Sequence, residues 1–223
     1  MRKSPFFCYY GGKFRVAKTY PAPLDGLPIV EPFAGAAGYS MRWGAGRRCA
    51  LYDLDEMVVS AWRYILSDEP LPLEMPAKGH TVTGSTDRDN WLRMCANDGS
   101  TGRNTFTDFA AEQIHTKFRA ITSQREDVRH WSVALGSYEQ CPDIEATWFV
   151  DPPYSSAAGA MYRKNKIDYQ HLAEWCRSRR GRVIVCENEG ATWLPFDRSF
   201  AAKGMPTRRR SGFSREVYSS WDS

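Results

Sequence analysis

Ala146-Thr147-Trp148-Phe149-Val150-Asp151-Pro152-Pro153-Tyr154 decides the fold. An apolar run leads straight into a carboxylate, two prolines and an aromatic ring. Proline has no N–H to give a ladder, so a central strand must stop at Asp151. The carboxylate is then delivered beyond the carboxyl end of a strand, where ligands bind in open α/β sheets. Successive prolines stiffen the backbone and hold Tyr154 in place. A fixed acid, fixed carbonyls and a flat ring suit a planar group bearing an amine. A strand end followed by a proline-rich turn would read the same way, so the rest of the chain has to decide.

Outward from this stretch the pattern alternates strand and helix. Pro28-Ile29-Val30-Glu31-Pro32-Phe33-Ala34-Gly35-Ala36-Ala37-Gly38 reads as a short strand, then a small-residue loop, with a helix from about Tyr39. Gly35 and Gly38 alone do not make the G-x-G-x-x-G pattern. Arg48 to Asp53 reads as a second strand ending in an acid, the position that accepts from a ribose diol. Asp55 is expected to cap a helix running to Leu66, with Met57, Val58, Ala61, Trp62 and Ile65 at helical spacing. Ahead of these, Phe6 to Tyr10 meets the pair Gly11-Gly12, and a short helix is expected from Lys13 to about Tyr20.

Pro70, Pro72 and Pro76 mark a change to polar sequence, and residues 70–129 read as a small, mainly helical insertion outside the sheet. One amphipathic helix is expected from Asp108 to Ile121. Arg88, Arg93, Arg103, Lys117, Arg119 and Arg125 make the insertion a candidate nucleic-acid surface, although interleaved acids fit an ordinary solvated face equally well. The sheet resumes at 131–135 and 146–150. A polar loop with Arg163 and Lys164 follows, then a helix from Tyr169 to Arg179 capped by Asp168, and a buried strand at 182–186. A final strand at 217–221 is expected to pair with 198–202. Between them Arg208-Arg209-Arg210 forms a basic loop suited to phosphate.

With 223 residues and 42% hydrophobic content, the chain has material for one sizeable core. Its six cysteines show no Cys-x-x-Cys pairing, which argues against a zinc site or a secreted disulfide framework and for reduced core thiols. No apolar run reaches membrane-span length and no signal-peptide pattern opens the chain. A cytoplasmic protein is expected, without metal or membrane partner, as monomer or weak dimer. A net charge of +4 is compatible with a polyanion partner and does not demand one.

Three stretches in order, Tyr10-Gly11-Gly12-Lys13, Glu31-Pro32-Phe33-Ala34-Gly35 and Asp151-Pro152-Pro153-Tyr154, together resemble the Dam-like (class alpha) adenine-specific DNA methyltransferases. The resemblance runs over most of the chain. It implies a Rossmann-like, mainly parallel sheet whose last strand is antiparallel, with residues 1–69 and 130–223 as catalytic domain and 70–129 as target-recognition insertion. It implies S-adenosylmethionine as cofactor, lined by Tyr9, Tyr10, Lys13, Phe33, Gly35 and Asp151, with Asp53 on the ribose hydroxyls. Asp151, Pro152, Pro153 and Tyr154 would face the target amine of a base flipped from double-stranded DNA. Arg103, Lys117, Arg163, Lys164, Arg208, Arg209 and Arg210 are the expected DNA contacts. A bacterial or phage-infected cell, with or without a restriction partner, is the expected setting. The sequence departs from the family at Ala37, where glycine is usual, and in the acidic Glu187-Asn188-Glu189, for which the resemblance gives no role.

Adenine's amine is a poor nucleophile because its lone pair is delocalised into the ring. Acceptors at Asp151 and the Pro152 carbonyl would favour a pyramidal nitrogen. The chain lacks the Pro-Cys pair expected for cytosine carbon-5 chemistry; Cys141-Pro142 has the reverse order. Cytosine exocyclic-amine transfer, adenine transfer in RNA, and a catalytically silent DNA-binding relative are the rival readings. A nicotinamide enzyme fits worst, because the glycine spacing is wrong.

Overall fold

Seven strands form one sheet: Ile29–Glu31 (β1), Cys49–Asp53 (β2), Ser132–Leu135 (β3), Glu145–Val150 (β4), Arg180–Asn188 (β5), Arg198–Lys203 (β6) and Phe213–Asp222 (β7). The computed structural model describes residues 3–96, 105–203 and 213–223. The strand order is β3-β2-β1-β4-β5-β7-β6. Neighbours from β3 to β5 are parallel, and β7 runs antiparallel between β5 and β6. This is the Rossmann-like arrangement with an antiparallel last strand. Strand order reverses between β1 and β4, so the crevice beyond their carboxyl ends is the switch point where such sheets bind ligands.

The period-2 pattern of β4 divides the core in two. Trp148 and Val150 face the helix Tyr169–Arg177 (α5), joining Leu172, Cys176, Val183 and Val185. Phe149 faces the other way and stacks on Tyr39 of Gly38–Trp43 (α1), with ring centroids 4.4 Å apart. That second face is covered by Glu56–Leu66 (α2), Asp87–Ala96 (α3) and Asp108–Val128 (α4). Burying side chains such as Trp62 or Ile65 of α2 contributes about 1.5–3 kcal/mol each. Both expected caps form: Asp55 Oδ1 accepts from Met57 N at 3.0 Å and Asp168 Oδ1 from His171 N at 3.0 Å. All six cysteines are free and five are buried. No helix among the described residues is long and apolar enough to cross a membrane.

The structure corrects the sequence reading at residues 13–20 and at two cations of the 70–129 stretch. Residues 13–20 contain only a 3-10 turn at Ala17–Thr19, with the Val16 and Ala17 amides both donating to Lys13 O. Tyr20 is extended, with φ −80° and ψ 159°, as the residue before a proline tends to be, and this ends the turn. The described part of residues 70–129 adds no strand to the seven-stranded sheet, and it contributes to the core. Trp91, Met94, Ile114 and Ile121 pack with Phe6, Phe7 and Trp62, and α4 carries the chain towards β3. Two expected surface cations of this stretch are buried. Arg125 donates to the carbonyls of Tyr64, Ile65 and Glu69, satisfying the C-terminal end of α2. Lys117 donates to Pro5 O at 3.3 Å and is 7% exposed, so it cannot serve as a phosphate contact.

Glu31 ends β1 inside the core, and its Oε1 accepts from Ser40 N at 2.6 Å. Burial pushes its carboxyl up to about 8, against the pull of the Ser40 hydrogen bonds. An acid raised in the folded state stabilises below its unfolded value and loses that contribution as pH rises through the folded one. Glu31→Gln should therefore gain in stability over the parent as pH increases from about 4.5 to about 8, read from denaturant midpoints across that range. A constant difference between the two proteins would contradict this.

Candidate active site

The loop after β1 turns sharply at Gly35, whose φ is +45°. A Cβ there would lie 2.6 Å from Tyr9 Cδ1, so glycine lets the Tyr9 ring close onto the loop. Gly35 N donates to Asp53 Oδ2 at 2.9 Å, and Trp62 Nε1 donates to Gly35 O at 2.8 Å. At Gly38 an added Cβ would sit 2.5 Å from Phe14 N and 2.9 Å from Lys13 N. The missing side chain thus allows the 11–14 turn to dock on the start of α1. Ala37, where the resemblance expects glycine, has φ 46° in the left-handed region, which costs an alanine on the order of 1 kcal/mol.

This docking brings Lys13 to Asp151. Lys13 is 2% exposed. Its Nζ lies 2.9 Å from Asp151 Oδ2 and 4.0 Å from Glu216 Oε1, donates to Gly11 O at 2.6 Å, and sits 5.1 Å from the centroid of the Tyr154 ring. Burial alone would lower the ammonium, but Asp151, Tyr154 and Glu216 more than reverse this and raise it above its ordinary value. Burial pushes the Asp151 carboxyl up to about 6, with Lys13 opposing. The acid is thus ionised at neutral pH beside a cation. Only one of its oxygens is engaged among the described residues: Asp151 Oδ1 and the Tyr154 hydroxyl are both buried and find no hydrogen-bond partner there. Unsatisfied buried polar atoms are rare and costly in a folded protein.

On the β2 side, burial lifts Asp53 to about 6 against the hydrogen bonds from Asp55 N and Gly35 N. Arg163 clasps Asp55 in a bidentate pair, Nε to Oδ2 at 3.0 Å and Nη2 to Oδ1 at 2.8 Å. Asp55, Arg163 and Lys164 border an open cleft of about 510 Å³ that reaches Leu135 at the end of β3. Tyr162 bridges back to the Gly-Gly turn, its hydroxyl donating to Tyr10 O at 3.1 Å and its ring 5.4 Å from Tyr10 and 5.9 Å from Tyr9. Phe33 packs towards the α5 face, 5.8 Å from the Tyr138 ring. Tyr169 of α5 donates to Pro153 O at 2.6 Å.

The structure therefore gathers Tyr9, Lys13, Gly35, Asp53, Asp151 and Tyr154 around the β1/β4 crevice, while Arg163 and Lys164 stand at the cleft on the β2 flank. Arg103 and Arg208–Arg210 lie outside the described residues. Glu216 and Tyr162 escaped the sequence reading. Glu216 reaches the site only because the antiparallel β7 register sets it opposite Asn188, and no local pattern announces that. Tyr162 stands next to the basic pair 163–164, and its aromatic neighbour relations are purely tertiary.

No protein-family model and no curated protein sequence matches the chain. Its structure is similar to solved structures at low identity. One is a conserved hypothetical protein of Streptococcus pyogenes, at 10% identity over 95% of each chain with a TM-score of 0.41. Another is described as "putative methyltransferase yhhF" of Escherichia coli, at 10% identity over 94% of this chain and 82% of that one, TM-score 0.36. A third is the glycopeptide N-methyltransferase MtfA complexed with S-adenosyl-L-methionine, at 14% identity over 100% of this chain and 72% of that one, TM-score 0.40.

Replacing the cation tests the electrostatics directly. In Lys13→Met the burial effect on Asp151 stands unopposed, so its carboxyl should titrate above the parent's value of about 6. Carboxyl-carbon chemical shifts followed through pH would show it. An unchanged or lower midpoint would mean that Lys13 does not set the charge of Asp151.

Proposed function

We propose that the chain is an S-adenosylmethionine-dependent methyltransferase acting on the exocyclic N6 amine of adenine in double-stranded DNA. The observation that carries this reading is the pair of unpartnered buried groups, Asp151 Oδ1 and the Tyr154 hydroxyl, at the switch point of the sheet. A carboxylate oxygen with nothing to accept from, beside a ring fixed by two prolines, suits a flat base carrying an N–H donor.

The residues present fit the cofactor. Asp53 uses each oxygen for one backbone N–H, which leaves a lone pair on each for a ribose hydroxyl. Leu54 and Leu135, both exposed apolar side chains, flank this acid and offer a surface to a purine. Tyr9, Tyr10, Phe33 and Gly35 would line the remainder. Lys13 belongs to Asp151 by its contacts, so its role is to hold that acid ionised. When bound, S-adenosylmethionine supplies a methyl group on a positively charged sulfur.

The chain's own contribution is to prepare the nitrogen. Asp151 Oδ1 accepts one amine hydrogen and the Pro152 carbonyl the other, which draws the nitrogen towards a pyramidal shape with an available lone pair. Tyr154 stacks on the base, which has to leave the duplex to arrive there. The proton that the nitrogen finally loses meets Asp151 first, an acceptor poised at about 6. No covalent bond to the protein is required. The basic residues Arg163, Lys164 and Arg208–Arg210 would meet the phosphates.

Incubation of the protein with methyl-labelled S-adenosylmethionine and mixed-sequence plasmid DNA, followed by digestion to nucleosides, should yield label in N6-methyl-2′-deoxyadenosine. Asp151→Ala should reduce incorporation by at least about a hundredfold with an unchanged circular-dichroism spectrum. Label in N4-methylcytosine, or transfer only to RNA, would replace the substrate assignment. Full activity in the alanine variant would remove the mechanism. Because Asp151 must be ionised to accept, the rate should climb with pH through about 6.

A further inference from the structure

Glu187 is a carboxylate with 0% exposure at the end of β5, and it makes no ion pair among the described residues. Three N–H groups hold it instead. Its Oε2 accepts from Ser155 N at 2.9 Å and Trp193 Nε1 at 3.0 Å, and its Oε1 from Asn188 N at 2.8 Å. The neighbouring Asn188 donates from Nδ2 to Ser156 Oγ at 3.0 Å. β4 and β5 pair in register up to Val150 and Val185, and there the ladder ends, because Pro152 and Pro153 have no N–H to offer. Glu187, two residues past Val185, reaches across this gap to an amide beyond the prolines. The Ser155 amide belongs to the same peptide plane as the Tyr154 carbonyl. Holding it fixes the backbone that aims the Tyr154 ring. Tyr169, packed 5.4 Å from the Trp193 ring, donates to Pro153 O at 2.6 Å. The segment is therefore held at Pro153, Ser155 and Ser156.

Resting on the methyltransferase reading above, we propose that Glu187 is a positioning residue for methyl transfer, acting through the Ser155 amide to set the Tyr154 ring against the target base. A buried acid retained for core packing alone would be hard to understand, since an apolar side chain of that volume avoids the desolvation cost. One of its three donors, Ser155 N, belongs to the loop whose geometry the chemistry needs, and the adjacent Asn188 ties Ser156 of the same loop to the strand end.

Two full-length variants and two readouts test this. Glu187→Gln keeps one acceptor oxygen and so is expected to fold, whereas Trp193→Phe removes one of the three donors without touching the Ser155 amide. Glu187→Gln should lower kcat about tenfold or more while leaving the S-adenosylmethionine dissociation constant and KM within twofold. Amide hydrogen exchange over 154–156 should quicken in the same variant. Trp193→Phe should leave kcat within twofold. An unchanged kcat in Glu187→Gln, a loss appearing wholly in cofactor affinity, or unaltered exchange over 154–156 would overturn the proposal. If the parent protein transfers no methyl group to DNA, the reading beneath the proposal falls. The exchange measurement, which needs no activity, then decides alone whether Glu187 holds the segment.

Discussion

Lys13 and Asp151 meet 2.9 Å apart, the lysine at 2% exposure, and much of the molecule is arranged so that they can. Taking an ammonium and a carboxylate out of water costs several kcal/mol per ion, which their attraction offsets only in good geometry with further hydrogen bonds. Here the further partners are Gly11 O, the Tyr154 ring and, more distantly, Glu216. Each arrives from a different element. The Gly-Gly turn presents the lysine, Gly38 lets that turn approach α1, the prolines end β4 at the acid, and the antiparallel β7 brings Glu216 alongside. Loss of any one would leave a buried charge without its complement.

The pair also explains why the site retains free valences. A buried carboxylate with neither oxygen paired would be driven towards its protonated form. Lys13 occupies one oxygen and leaves Oδ1 open. Asp53 is also raised to about 6 by burial, and there two backbone amides oppose the burial first and the Arg163 charge less strongly. The two acids therefore differ in chemistry despite similar proton affinity. A backbone-held carboxylate suits neutral hydroxyl donors, while a cation-backed one tolerates a partner whose proton is being lost.

Much of this frame was legible in the sequence, and for local reasons. The period-2 run ending in two prolines placed β4 and its acid. Helical spacing placed α2, and Asp55 and Asp168 behave as the caps their positions suggested. What the sequence withheld depends on partners far along the chain. Lys117 and Arg125 read as surface cations because nothing nearby shows that Pro5 and the end of α2 await them. The 13–20 segment carries Phe14, Val16, Thr19 and Tyr20, which are middling helix formers, and stops at an extended Tyr20 before Pro21. Glu187 looked out of place beside DNA, yet it is buried, and its meaning appears only when Ser155 and Trp193 are seen around it.

Arg163 shows how a residue can read as a nucleic-acid contact and yet do structural work first. Its guanidinium is bidentate with Asp55, the same carboxylate that caps α2. Asp55 stands two residues from Asp53 and its charge raises that acid, while Arg163 draws it back. The segment that follows Tyr154 thereby reaches across the crevice, through Tyr162 to the Gly-Gly turn and through Arg163 to the β2 flank. Held this way, Asp53 and Asp151 are tied through one stretch of chain. A phosphate approaching Arg163 would have to share or displace Asp55. Any such contact would then be felt at Asp53, on the opposite flank of the crevice from Tyr154, through the charge that Asp55 regains.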